Sequence, residues 1–238
     1  MPLDLIYITN NPSGARIAEE NDVDRIMVDL ETLGKGERQK NMNTVKSNHT
    51  IEDIKAVAQV LTRSRLLVRI NPWHENSVAE IEAAISAGAQ ILMLPMWKNE
   101  AEVDAFLRTV NKRVHTTLLL ETKEAVECMD AVLDHPLLDD IHIGLNDLHL
   151  SYGMTFMFEL LADGTVDKLC EKCRKKGVRY GFGGIAKLSK GLVPAEYVIM
   201  EHYRLGSTGA ILSRTFCNME KSLLERNNYP CNLIEKNV

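Results

Sequence analysis

Short apolar runs alternate along the chain with longer stretches in which apolar residues recur every three or four positions. The short runs have the length and composition of buried parallel strands, and the longer stretches have the spacing of one buried helical face. The pattern predicts helices around Ile51–Leu61, Val78–Ile85, Val103–Val110 and Val166–Cys173. It predicts eight strands, at Leu5–Thr9, Arg25–Leu30, Leu66–Ile70, Ile91–Leu94, Thr117–Leu120, Ile141–Ile143, Arg179–Phe182 and Ala210–Leu212.

Residues typical of helix ends flank several of the predicted helices. Ser77 and Asn99 stand where an N-cap is expected, and Gly88 and Gly177 follow helical stretches as C-terminal glycines do. Eight strand–helix pairs in 238 residues predict a (β/α)₈ TIM barrel. An open, doubly wound parallel sheet fits the same periodicity and remains the alternative. Because no linker rich in Pro, Gly or Ser interrupts the chain, we expect one domain over residues 1–238.

Composition narrows the class of function. Lys and Arg total 28 against 33 Asp and Glu, so the net charge of −5 argues against a nucleic-acid-binding surface. The sequence has neither a basic leader nor an apolar run long enough to span a membrane. Five scattered cysteines fit reduced thiols, and the helical spacing of Cys170 and Cys173 favours core positions over a metal site. We expect a cytoplasmic protein that binds neither nucleic acid nor membranes.

Polar residues at the predicted strand ends are the candidate site, because the chemistry of parallel barrels lies at the carboxyl ends of the strands. Arg69 ends the third strand, where it either clasps the carboxylate of an acid substrate or forms an ion pair inside the barrel. Glu121 follows the fifth strand and Asp147 the sixth, so the two carboxylates could converge. Two such oxygen ligands describe a Mg²⁺ or Mn²⁺ site. Two solvated acids, or acids paired with Arg69, are the alternative.

Several blocks, taken in order, resemble the HpcH/HpaI aldolase and citrate lyase beta-chain family over roughly residues 25 to 153. They are Val28–Glu31, Val68–Pro72, Gly88–Pro95, and the pair Leu118–Val126 and Ile141–Leu148, the last followed by Gly153. The resemblance implies a TIM barrel related to phosphoenolpyruvate-using enzymes. It also implies that Glu121 and Asp147 bind the metal and that Arg69 meets the carboxylate or enolate of the substrate.

The activity implied by the resemblance is that of a metal-dependent lyase, a class II-type aldolase. Such an enzyme makes or breaks a carbon–carbon bond next to a 2-oxo acid through a metal-stabilised pyruvate enolate. We expect Asp29 and Glu31 to act with Arg69. Backbone groups at Leu94, Pro95 and Gly144 are expected to contact the substrate. Citrate- or malyl-CoA-lyase-like cleavage of a thioester and a barrel that binds a metabolite without turnover remain alternatives, and the family implies a homo-oligomer.

The second strand departs from the family pattern. Thr32 stands where aldolases of the family carry a histidine and the citrate lyase branch an aspartate, so the general base is unassigned. His49 or a metal-bound water is a candidate for that role. The long polar connection from Glu31 to His49 is either a functional lid or a disordered segment.

A glycine-rich segment ends the seventh predicted strand. Gly181–Ala186 matches the G-x-G-x-x-A dinucleotide pattern, but it lies late in the chain rather than in an opening βαβ unit. We therefore predict that Gly183 and Gly184, with Ser213 and Arg214, bind an anion at the seventh and eighth strands. That site would suit a phosphorylated or sugar-derived acid. The alternative is that tight turns require the glycines.

Overall fold

The structure of the protein is a computed structural model that describes residues 3–34, 49–189, 191, 193–213 and 216. Within these residues, parallel strands form a nearly closed TIM-type barrel with helices between them, as predicted. The strands are β1 (Asp4–Ile8), β2 (Arg25–Asp29), β3 (Arg65–Arg69), β4 (Ile91–Leu94), β5 (His115–Leu120), β6 (Asp140–Ile143), β7 (Arg179–Phe182), β8 (Gly184–Ile185) and β9 (Gly209–Leu212). The helices are α1 (Pro12–Glu20), α2 (Ile51–Ala58), α3 (Ser77–Ser86), α4 (Glu100–Val110), α5 (Lys123–Leu133), α6 (Leu145–Ser151), α7 (Glu159–Ala162), α8 (Thr165–Lys176) and α9 (Ala195–Leu205).

The strand order distinguishes a barrel from an open sheet. It runs β7-β6-β5-β4-β3-β2-β1-β9-β8, and β8 continues the path of β7 after a single residue. The amide of Thr208 donates to the carbonyl of Tyr180 at 2.8 Å, which joins the last strand to the seventh. The sheet therefore curls back on itself, and the open-sheet alternative is wrong.

Both faces of the strands are buried, which explains their almost continuous apolar sequences. One face lines the inside of the barrel with a small cluster of Ile6, Met27, Leu67, Ile91, Met93 and Leu119. The other face, which includes Val28, Val68 and Leu92, belongs to the larger core shared with the helices. All eight predicted strands are confirmed to within two residues, and β8 is an addition.

Glycines allow the barrel to close. A Cβ at Gly181 would collide with the carbonyl oxygen of Gly209, and Gly183 has a φ of +49°. The Gly183 amide donates to the carbonyl of Ile143 at 2.8 Å, and Gly184 pairs with Ile211 in β8. Backbone groups of this segment thus serve strand pairing and close the sheet. The predicted anion site for a phosphorylated or sugar-derived acid stays a prediction, and Arg214 lies outside the described residues.

The helix ends agree only in part with those predicted from the sequence. Asn99 is confirmed as an N-cap, since its side chain accepts from the amide of Glu102 at 3.0 Å. The prediction for Ser77 is wrong. The cap position of α3 is Asn76, and the Ser77 hydroxyl accepts from the amide of His74 at 2.8 Å. From sequence alone, a serine that binds the backbone of the preceding loop is hard to distinguish from one that caps the helix.

Two features away from the strand ends are also clear. Cys170 and Cys173 are fully buried in α8, so their assignment as core thiols is confirmed.

At the amino-terminal end of the barrel, the Arg25 guanidinium donates to Asp4 at 3.0 Å and to Asp140 at 3.2 Å. None of the described helices has the length and hydrophobicity needed to cross a bilayer.

Candidate active site

Acidic and basic side chains gather at the carboxyl ends of neighbouring strands. Asp29 is the last residue of β2, and Arg69 is the last residue of β3. Glu121 follows β5 directly, and Asp147 lies in the first turn of α6, just after β6. Because these strands are parallel, their carboxyl ends lie at one mouth of the barrel, where the sequence predicts the site.

Arg69 is fixed by the acids of β2. Its Nε and Nη2 donate to the two carboxylate oxygens of Asp29, each at 2.8 Å, and its Nε lies 3.5 Å from Glu31 Oε2. Burial alone would lower the pKa of Arg69, but the charges of Asp29, Glu31 and Glu121 raise it above its ordinary value. The ion pair anticipated as an alternative is thus present. Arg69 Nη1 makes no hydrogen bond to any residue that the structure describes.

Glu121 is the most perturbed acid of the site. Only 3% of the residue is exposed, and its Oε1 accepts from the amide of Met96 at 3.0 Å. Burial, followed by repulsion from Asp147, raises the Glu121 pKa well above its ordinary value, against the opposing charge of Arg69. The fold therefore keeps Glu121 buried and close enough to Asp147 for the two negative charges to repel each other.

Gly144 packs directly against Glu121. A Cβ at this position would lie 2.9 Å from both Cβ and Oε2 of Glu121. The Gly144 amide, predicted as a donor to the substrate, instead donates to the carbonyl of Leu120 at 2.9 Å and extends the pairing of β5 and β6. The glycine thus leaves room beside Glu121 Oε2, which any side chain would fill.

The loop after β2 is anchored from two directions. The side-chain oxygen of Asn71 accepts from the amides of Thr32 at 2.9 Å and Leu33 at 3.0 Å. On the β1 side, His49 Nδ1 accepts from the Asp29 amide at 2.9 Å. In the neutral ring, that bond places the imidazole proton on Nε2. The predicted lid runs from Glu31 to His49, and residues 35–48 of it lie outside the described residues.

Comparison with known proteins shows the family. A family model described as HpcH/HpaI aldolase/citrate lyase matches residues 5–180. The chain belongs to this family. The members of this family are aldolases and lyases, and membership supports a lyase activity in general. A comparison with curated protein sequences found no match.

Solved structures with the same fold include three that illustrate the family. An HpcH/HpaI aldolase from Desulfitobacterium hafniense aligns with a TM-score of 0.66 at 16% identity, covering 89% of this chain and 86% of that one. A family protein from Burkholderia cenocepacia gives a TM-score of 0.71 at 15% identity, with 94% and 91% covered. A citrate lyase beta subunit from M. tuberculosis, complexed with oxaloacetate and magnesium, gives 0.64 at 16% identity, with 90% and 92% covered.

The donor set of this family member fits a hard divalent cation. Glu121 and Asp147 supply carboxylate oxygens, and the space that Gly144 leaves beside Glu121 Oε2 is where a side chain would otherwise stand. A bound cation would offset the repulsion that raises the Glu121 pKa. Among the described residues, no group of three or more His, Cys, Asp or Glu could hold a metal. Two carboxylates completed by water and substrate are nevertheless the usual environment of Mg²⁺.

Some site features differ from the sequence-based expectation or escape it. Leu94 is fully buried within β4, and Pro95 has no amide hydrogen to donate, so their expected backbone contact with the substrate stays a prediction. The amide that points into the site belongs to Met96, whose φ is +53°. No sequence signal marks a methionine for this conformation. The N-cap role of Thr122, by contrast, could have been found from a threonine that precedes a helical stretch.

Proposed function

We propose that this protein is a lyase that cleaves or forms a carbon–carbon bond next to a 2-oxo acid and uses Mg²⁺ or Mn²⁺. The observation that carries the proposal is the buried Glu121 beside Asp147 and Arg69 at the mouth of the barrel. In support, the related citrate lyase beta subunit binds a 2-oxo acid, oxaloacetate, together with magnesium.

Arg69 binds the substrate in this proposal. Asp29 occupies two donors of the guanidinium and fixes its plane, which directs Nη1 as the donor for a carboxylate or enolate oxygen. Glu121 and Asp147 would hold the divalent cation, which would supply positive charge that favours the enolate over the neutral 2-oxo acid. A substrate with two adjacent oxygens is therefore preferred over a simple aldehyde.

Proton transfer is assigned to Glu31. Both oxygens of Asp29 accept hydrogen bonds from Arg69, so Asp29 orients the guanidinium. Glu31 lies at the same mouth with a longer, 3.5 Å contact to Arg69 and is almost fully buried. His49 contacts the backbone of Asp29 and supports this strand end. Thr32 is exposed and linked to Asn71, so we assign it no part in proton transfer.

A pyruvate-release assay tests the proposal. We would incubate the protein with 4-hydroxy-2-oxo acids and oxaloacetate in the presence of Mg²⁺ or Mn²⁺ and follow pyruvate with lactate dehydrogenase. We expect pyruvate release that stops with EDTA and in Arg69→Lys, because lysine lacks the planar fork that Asp29 holds. Release that is unaffected by EDTA would contradict the proposal. Cleavage restricted to citryl or malyl thioesters would favour the lyase alternative.

A further inference from the structure

The carboxylate of Glu121 is held by backbone from the neighbouring strand end. The amide of Met96, two residues after β4, donates to Glu121 Oε1 at 3.0 Å. Met96 does so in the left-handed region, with a φ of +53°. For a residue with a side chain, this conformation is strained. The surrounding structure must therefore hold the backbone in place.

Thr122 supplies the second attachment of that backbone. Its hydroxyl donates to the carbonyl of Trp97 at 2.8 Å in a fully buried hydrogen bond. The same oxygen accepts from the amide of Ala125 at 3.1 Å and caps α5. Trp97 is completely buried and Thr122 is 3% exposed, so neither group can exchange its partner for water.

The two bonds connect consecutive residues on each side. Met96 and Trp97 are consecutive, and so are Glu121 and Thr122. Met96 binds Glu121, and Trp97 binds Thr122. Rotation of the Met96 peptide would break the bond to Glu121, and the hydroxyl of Thr122 holds the carbonyl of the next residue, Trp97. The bonds fix Oε1 and leave Oε2 as the oxygen that faces the space beside Gly144.

We propose that Thr122 is a positioning residue for the metal site. Its hydroxyl holds the Met96 amide against Glu121, and so fixes the carboxylate that binds the divalent cation. This inference rests on the proposed function, which assigns Glu121 to the cation. Loss of a partner that orients a metal ligand typically lowers metal affinity about 10–100-fold.

The test is a Mn²⁺ titration followed by electron paramagnetic resonance, which measures metal affinity without turnover. We would compare the wild type with Thr122→Val, which keeps the volume and removes the hydroxyl, and Thr122→Ser, which restores it. Asn11→Ala removes the N-cap of α1 and is the matched control for losing a cap. Melting temperatures in EDTA are measured for each variant, and Thr122→Ala replaces the valine variant if the latter does not fold.

The expected result is a Mn²⁺ dissociation constant about 10-fold or more higher in Thr122→Val, with Thr122→Ser and Asn11→Ala close to the wild type. Equal affinity in Thr122→Val and wild type would overturn the positioning role while leaving the proposed function intact. An equal loss in Asn11→Ala would also overturn it, because the effect would then follow general destabilisation. A wild type that binds no Mn²⁺ would overturn both proposals.

Discussion

Replacing Glu121 by glutamine should stabilise the metal-free protein while removing its metal site. The substitution keeps Oε1 as the acceptor for the Met96 amide and removes only the charge. In the folded wild type the Glu121 pKa is raised, so the folded state binds more protons than the unfolded state between pH 4.5 and the raised pKa. The contribution of Glu121 to wild-type stability therefore falls as the pH rises through this window, and Glu121→Gln lacks this contribution.

The size of this effect follows from linkage. Within the window, the stability difference between Glu121→Gln and wild type should grow by at most about 1.4 kcal/mol per pH unit. For 238 residues, an unfolding entropy of about 0.5 kcal/mol/K converts this into roughly 3 °C per pH unit. The sign is unusual, because most substitutions of buried residues destabilise.

Thermal unfolding in EDTA between pH 5 and pH 8 measures the difference. Glu127→Gln, a change at an exposed position of α5, is the matched control and should melt like the wild type at every pH. Added Mn²⁺ should raise the melting temperature of the wild type and leave that of Glu121→Gln unchanged. A Glu121→Gln variant that melts below the wild type in EDTA throughout this range would refute the electrostatic reasoning.

Three further predictions concern packing and pH. Gly144→Ala should displace Glu121, whose Cβ and Oε2 would lie 2.9 Å from the new methyl group, and Mn²⁺ affinity by titration should fall; unchanged affinity would show that the contact relaxes. Burial lowers the pKa of His142 to about 4 and of His202 to about 3, so unfolding free energy from urea titrations should drop by up to about 1.4 kcal/mol per pH unit for each histidine as the pH falls from about 6.5 towards 4. A flat profile would contradict neutral burial. Leu119→Ala should cost about 2–5 kcal/mol in the same assay, since it opens a cavity inside the barrel.

The sequence predicts the barrel well because its signal is local. The third strand ends at a polar residue and the fifth is followed by one, so Arg69 and Glu121 could be placed at one mouth before any contact was known. The pairing of Arg69 with Asp29 was open, because an arginine at a strand end suits a substrate as well as an ion pair.

Other features depend on contacts between distant residues. Gly183 looks like part of a phosphate loop in sequence, but its amide binds Ile143, forty positions away in the chain. Met96 adopts left-handed backbone beside the long-range bond between Thr122 and Trp97, and no local pattern encodes either feature. The single-domain organisation, the cytoplasmic location and the homo-oligomer stay predictions.

Deuterium exchange into the methyl group of pyruvate tests the central claim most directly. The exchange is followed by NMR with Mg²⁺, with Mn²⁺ and with EDTA, in the wild type and in Glu121→Gln. Enolate chemistry at the proposed site predicts exchange that needs the divalent cation and is lost in Glu121→Gln. Exchange that persists in EDTA or in Glu121→Gln would contradict the assignment of the site. No exchange with either cation would contradict pyruvate enolate chemistry altogether.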